Sequence, residues 1–360
     1  MRTFLLATET TPPPGTAIRP PSWWAAKASI AGDLSSFSKY ITTDSFDHYT
    51  LGLGVCGCAR MGEAIGSQAW YDQAYYYLMS IMALSVPVAG GYQGWYGAIR
   101  GGGETSLDEI YCWRFAPDLL LPTSTIPAYQ PKHDAVKAFL ERNIWTKWYS
   151  RNNSNGVPTN LYRSVLHIAS HWAKLALYLR TEGSTATIRS QADTVCAAIS
   201  HAGMPNWGMA NMYSQIRKYP HPTGGSDTAF WPAYWTGTLS SEPYGSDTQH
   251  GVAIGTFVGA ALRAGYGPWS VSTDLPRFIR LRDIFTAAPG SPFWATLSPG
   301  GTFEGSTTWA GKMAEYGSMA QHDRDFQSWL EADEARHIGD NSEKWGTFAL
   351  NALRLGGPYL

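Results

Sequence analysis

SDTQHGVAIGTFVGAALRAG, residues Ser246 to Gly265, sets an Asp and a His directly before a run of small and apolar residues in which Arg263 is the only charge. A surface helix would carry a polar stripe at helical spacing, and this run has none. It also falls well short of the roughly 20 apolar residues of a membrane span. The spacing predicts a helix buried on all sides in a large all-α protein, with Asp247 and His250 at its N-terminal mouth.

The same form recurs along the chain. Thr50–Gly66, Ser106–Leu121, Leu161–Gly183, Thr307–Ala320 and Lys344–Gly357 read as further buried helices. Amphipathic helices alternate with them at Ala69–Leu84, His133–Tyr149, Ala186–Ala202, Asp274–Ala287 and Asp323–Ala335. In KHDAVKAFLERNIWTKWY, for example, Val136, Phe139, Leu140, Ile144 and Trp148 form one stripe while Lys137, Glu141 and Lys147 face away. Buried helices alternating with one-sided helices predict an (α/α) toroid of about six helical hairpins, an inner ring inside an outer ring. The expected division is a Pro-rich arm and first helix over 1–44, extended from Thr11 to Ser22, then one toroid domain over 45–360.

Composition narrows the function. The chain has 360 residues, 15% of them charged and a net charge of −1, so no global field draws it to nucleic acid or to an anionic membrane. Its 16 Trp and 20 Tyr exceed what a core needs, and flat amphipathic rings on a wet surface suit sugar faces. Cys56, Cys58, Cys112 and Cys196 match neither a disulfide framework nor a zinc set and read as buried thiols. The stretch MRTFLLATETTPPPG is short of a secretory apolar core. The expected setting is extracellular or virion-associated, with export by lysis or carriage on a virus particle; a cytoplasmic life is the alternative.

Inner helices of a toroid run one way, so their N-terminal ends meet at one opening. The residues expected there are Asp47, His48, Tyr49, Glu104, Asp108, Asn160, Tyr162, Arg163, Asp247, His250, Trp309, Asn341 and Trp345. Helix N-termini favour anions, and for Asp247 or Asn341 N-capping is the plainer role. His250 lies one turn inside, where a cap has no use for it. PTNLYRSVLHIASHW places Tyr162, Arg163, His167 and His171 on one helix, with Arg163 suited to neutralise a carboxylate and to lower a neighbouring phenol's pKa. The His pair lacks the Glu of HExxH, so no metal and no cofactor is expected. Met204–Tyr244 is too rich in Gly, Pro and aromatics for regular helix and reads as a long functional loop. Its Trp207, Trp231, Trp235 and Tyr244 are candidate stacking or catalytic groups. Gly90–Glu104 is a second aromatic, Gly-rich loop without the Lys-Ser/Thr of a phosphate loop.

A helical toroid, DTQHG opening an inner helix and a preceding aromatic loop together resemble the toroid-type polysaccharide lyases. They are also similar to the helical domains of glucuronyl C5-epimerases. The resemblance is architectural, covers Asp47 to the C-terminus, and has Asp247-x-x-His250-Gly251 as its one local motif. It implies a Tyr and a His as the acid–base pair, helped by Asn or Arg. The residues matching in type are Tyr162 or Tyr244, His250 or His167, Asn160 and Arg163.

β-Elimination explains the need for them. The C5 proton of a uronate is weakly acidic while its carboxylate is charged, so Arg163, Asn160 or a protonated His would neutralise the carboxylate. A His or an ionised Tyr would take the proton, and a Tyr would protonate the leaving glycosidic oxygen. The expected substrate is an acidic polysaccharide; alginate, glucuronan, a glycosaminoglycan and a bacterial capsule all fit. A glycoside hydrolase is the alternative enzyme, with Glu104 and Asp247 as an inverting pair and Asp108, Glu242 and Glu304 as further carboxylates. A non-catalytic glycan-binding or virion structural protein is the third reading, its arm docking through Trp23 and Trp24.

Overall fold

The computed structural model describes residues 17–151, 153–220, 228–232, 248–279, 296–297, 303–304, 317–332 and 341–360. They are predominantly helical. In chain order the helices are α1 (Pro21–Lys27), α2 (Ile30–Phe37), α3 (His48–Ile65), α4 (Gln68–Ala83), α5 (Ser106–Trp113), α6 (Ala116–Thr123), α7 (Gln130–Phe139) and α8 (Lys147–Ser150). They continue with α9 (Leu166–Glu182), α10 (Ala186–Ala197), α11 (Met212–Gln215), α12 (Thr248–Ala264), α13 (Leu275–Ile279), α14 (Arg324–Ala332) and α15 (Asn341–Leu355). Strand is confined, among the described residues, to short two-stranded antiparallel hairpins.

Local chemistry sets several boundaries. Thr105 caps α5 by accepting from the Asp108 N–H (3.3 Å), and Thr185 caps α10 by accepting from the Ile188 N–H (3.1 Å). Gly66 ends α3 with φ 63°, a conformation costly for any residue with a Cβ. The helix expected over Ser106–Leu121 is two, α5 and α6. Pro117 stands in the first turn of α6, where its missing N–H costs nothing, so a new helix starts there. The helix expected over His133–Tyr149 is α7, a wider π-type stretch over Leu140–Thr146, and α8. The loop expected over Met204–Tyr244 contains a hairpin pairing Ile216–Pro220 with Thr228–Pro232, which its Gly- and Pro-rich composition hid. Thr307–Ala320 is described only from residue 317, where a 3₁₀ turn spans Ser318–His322.

The packing follows the two helix types read from the sequence. Helix α3 packs on α5 and α6, α5 on α9, α9 on α12, α12 on the Ser318–His322 turn, that turn on α15, and α15 back on α3. The one-sided helices flank them: α4 lies on α3, α10 on α9 and α14 on α15. Backbones approach closely at these contacts. A Cβ on Gly52 would stand 2.8 Å from the Cys112 Cα, and one on Gly346 would meet the backbone of Gly57.

Polar contacts place like ends of α3, α5 and α15 together. Ser45 Oγ donates to Asp108 Oδ2 (3.3 Å), joining the N-terminal ends of α3 and α5. At the far end Arg354, in the last turn of α15, donates to Glu63 in the last turn of α3 (3.0 Å).

The N-terminal segment belongs to this core. Trp24 is fully buried, stacked on Trp345 at 5.5 Å, and the Leu360 N–H donates to the Ile18 carbonyl (2.9 Å). Trp24 is therefore spent inside the chain and offers no docking anchor. Helix α1 begins at Pro21, so the extended arm expected to Ser22 stops earlier. All four cysteines are buried free thiols. No helix among the described residues is long and apolar enough to cross a membrane.

Candidate functional site

The N-terminal ends of α3, α5 and α9 meet around a group of polar side chains. Helix α9 begins at Leu166, later than expected, because the Leu161 and Tyr162 N–H groups turn back to the Pro158 carbonyl (2.9 and 3.2 Å). Tyr162 and Arg163 thus precede the helix instead of sharing a face with His167 and His171. That turn carries Arg163 to α5, where Nη1 donates to Ser106 Oγ at 3.5 Å. Arg163 is half-buried and makes no ion pair among the described residues. Burial lowers its pKa, a cost that a bound anion would relieve.

Tyr162 is buried beside it and is held by its backbone, whose carbonyl accepts from Trp207 Nε1 (2.7 Å) and Asn206 Nδ2 (3.1 Å). Its phenol is pushed up to about 12, first by burial and then by Tyr149. The expected lowering by Arg163 does not occur. Such a phenol keeps its proton at neutral pH and can act as an acid, not as a base. Trp207, expected as a stacking platform, is half-buried against the core and positions the Tyr162 turn. Asn160 is buried and donates to the Arg151 carbonyl (2.8 Å), so its amide holds a loop.

His167 lies buried in the first turn of α9, its ring 5.9 Å from that of His171. His171 Nδ1 stands 2.8 Å from Arg114 Nη1, and a guanidinium can only donate, so that nitrogen accepts. No cluster fit for a metal ion exists among the described residues. His48 is likewise structural. It is fully buried, Nε2 lies 2.9 Å from the Thr42 carbonyl, and its pKa is lowered by burial against the pull of Asp47, Asp44 and Asp108.

Glu104 is not an open catalytic carboxylate. Lys147 donates to its Oε1 (3.0 Å) and Arg151 to its Oε2 (2.9 Å). The same fully buried Lys147 bonds Glu109 Oε1 at 2.7 Å, and Trp148 Nε1 bonds Oε2 at 2.5 Å. Burial pushes Glu109 up to about 7 against these partners. The network welds α5, α8 and the 86–94 hairpin together, since Lys147 also reaches the Gln93 carbonyl (3.1 Å).

His250 sits in the first turn of α12 and Trp231 in the 228–232 strand, both described by their backbone alone. Tyr244, Asp247, Trp235 and Trp309 lie outside the described residues.

Sequence reasoning missed a second polar centre at the opposite end of the buried helices. Asp118 of α6 accepts from Lys174 of α9 (2.9 Å) and from Arg60 of α3 (3.4 Å). Arg60 also donates to Thr347 of α15 (2.6 Å). Arg263 and Arg354 line the same cavity. Arg263 carried a signal in the sequence, as the lone charge of its helix, whereas Arg60, Lys174 and Arg354 share theirs with other charges.

Comparison with known proteins gives no second line of argument: no protein-family model matches the chain, and no curated protein matches it.

Proposed function

We propose that the chain is a polysaccharide lyase, cleaving a uronate-containing polysaccharide by β-elimination on an (α/α) toroid. The succession of contacts from α3 through α5, α9, α12, the 318–322 turn and α15 back to α3 supports a closed inner ring. The observation that carries the activity is Arg163, a half-buried guanidinium without an acid partner among the described residues, at the end where N-termini gather. Such a group suits a carboxylate, which it meets bidentately while drawing charge away from C5.

In this reading Arg163 neutralises the uronate carboxylate. His250 or His167 removes the C5 proton, and the C5–H electron pair forms the C4=C5 double bond as the C4–O bond breaks. Tyr162 or Tyr244 gives its proton to the departing oxygen; Tyr162 is neutral at pH 7 and equipped to do so. Asp247, Trp231, Trp235 and Trp309 are the residues proposed to contact the neighbouring sugars. The setting that fits is extracellular or virion-associated, where such polymers occur. The hydrolase alternative is weakened, because Glu104 has both oxygens committed to Lys147 and Arg151.

The test is product mass. Elimination yields an oligosaccharide lighter by one water than its hydrolytic counterpart, and a product carrying the added water would move the assignment to hydrolysis.

A further inference from the structure

Four cations converge on one carboxylate at the end of the buried helices away from Arg163. Arg60, Lys174, Arg263 and Arg354 come from α3, α9, α12 and α15 and line a cavity of about 20 Å³ in which Asp118 is the one acid among the described residues. Glu63 answers Arg354 from outside that lining (3.0 Å), so that among the described residues four positive charges face two negative ones. The donors also outnumber the acceptors. Lys174 has three N–H groups and bonds Asp118; Arg354 has five and reaches Gln321 Oε1 (2.6 Å) and Glu63. Arg263 is exposed and makes no hydrogen bond or ion pair among the described residues. The other polar lining groups are turned to backbone: Thr256 bonds the Ala253 carbonyl (2.9 Å) and Asn351 the Gly317 carbonyl (2.8 Å). This surplus of donors and positive charge over acceptors among the described residues is what a bound oxyanion would answer.

The shape fits an anion with a body. An open hollow of about 300 Å³ adjoins the cavity and shares Asp118, Lys174 and Arg263 with it. Its remaining wall is largely apolar, from Pro117, Leu121, Leu177 and Tyr178, with Arg180 at its edge. Arg180 is already engaged by Asp193 (2.8 Å). The charges also strain one another: Arg354 is lowered to about 10, by burial first and then by Arg263, and Lys174 is lowered by burial and by Arg60 despite Asp118.

The geometry points to a binding site for a small oxyanion, a phosphate or carboxylate headgroup on a compact body, held by Arg263 in the last turn of α12 and Lys174 midway along α9. This site is separate from Arg163 and does not depend on the reaction assigned to that end. The headgroup sits between the two cations, and the body lies on Leu177 and Tyr178.

Thermal shift and calorimetric titration with sodium phosphate and with sodium glucuronate, against sodium chloride of equal ionic strength, test it. Either oxyanion is expected to raise Tm above the chloride control, and Arg263→Gln to weaken that binding about ten-fold, as loss of one charge-assisted contact does. Arg263 is exposed, so this variant keeps the fold, whereas Arg163→Gln is expected to leave the binding intact. Tighter binding of glucuronate than of phosphate would show that the apolar wall takes part; the reverse would confine the site to the headgroup. No shift beyond chloride with either anion, unchanged binding in Arg263→Gln, or its loss in Arg163→Gln would overturn the assignment.

Discussion

Arg163 Nη1 and Ser106 Oγ meet at 3.5 Å, which ties the turn before α9 to the first residue of α5. A guanidinium with only a neutral hydroxyl beside it among the described residues is placed to receive an anion rather than to brace the fold. Arg163→Gln is therefore expected to lower kcat/KM on a uronate polymer by about 100-fold or more while changing stability little. Arg163→Lys should recover part of that, since it restores charge without the bidentate fork. Steady-state kinetics beside thermal melts separate the two effects; a large drop in Tm with proportionate loss of activity would make Arg163 structural.

The Tyr162 phenol, pushed up to about 12 by burial and Tyr149, stays protonated across the working range of most enzymes. As the general acid it is expected to give Tyr162→Phe a loss of about 100- to 10,000-fold in kcat, with a native fold. Rates of the unaltered protein should show no descending limb from this group below about pH 11. A descending limb near neutrality that Tyr162→Phe removes would contradict the assignment.

Lys147 serves both Glu104 and Glu109 without contact to water. Removing it leaves the fully buried Glu109 without its cation, while Glu104 keeps Arg151. Lys147→Met is expected to cost about 3–5 kcal/mol in chemical denaturation. The double change Lys147→Met with Glu109→Gln should recover part of that loss, and a failure to do so would show that the two groups act independently.

Asp118 links stability to acid pH. Burial by itself would raise its pKa, but Lys174, Arg60 and Arg263 outweigh it and hold the carboxyl at about 2, below the ordinary 3.8. A carboxyl lowered on folding stabilises fully above its unfolded value and loses that effect as pH falls through 3.8 toward 2. The loss is about 2 kcal/mol. Denaturation series from pH 6 to pH 2 should show it in the parent protein and a flatter dependence in Asp118→Asn.

Trp24 is fully buried against Trp345 and Phe348, whereas its neighbour Trp23 is only half-buried beneath Arg19. Trp24→Ala is expected to destabilise by about 3–5 kcal/mol, and Trp23→Ala by distinctly less. Equal effects would mean that both rings belong to the core.

The helical class and the two kinds of helix were legible because periodicity is written into the chain: α3, α9, α12 and α15 all stand where small apolar runs predict them. Boundaries were not, since they depend on single turns. Pro158 accepting from Leu161 and Tyr162 delays α9 and removes Arg163 from the helix, which no apolar pattern records. Partners were hidden for the same reason. Glu104 reads as a free acid until α8 brings Lys147 to it, and Asp118 shows no special character until α3 and α9 place Arg60 and Lys174 around it.

Ultraviolet absorbance during incubation with a panel of uronate polysaccharides tests the central claim most directly. A rising signal from the conjugated C4=C5 uronate, present with the parent protein and lost with Arg163→Gln, is the predicted result. A flat trace alongside new reducing ends, or a rise that Arg163→Gln leaves unchanged, would contradict it.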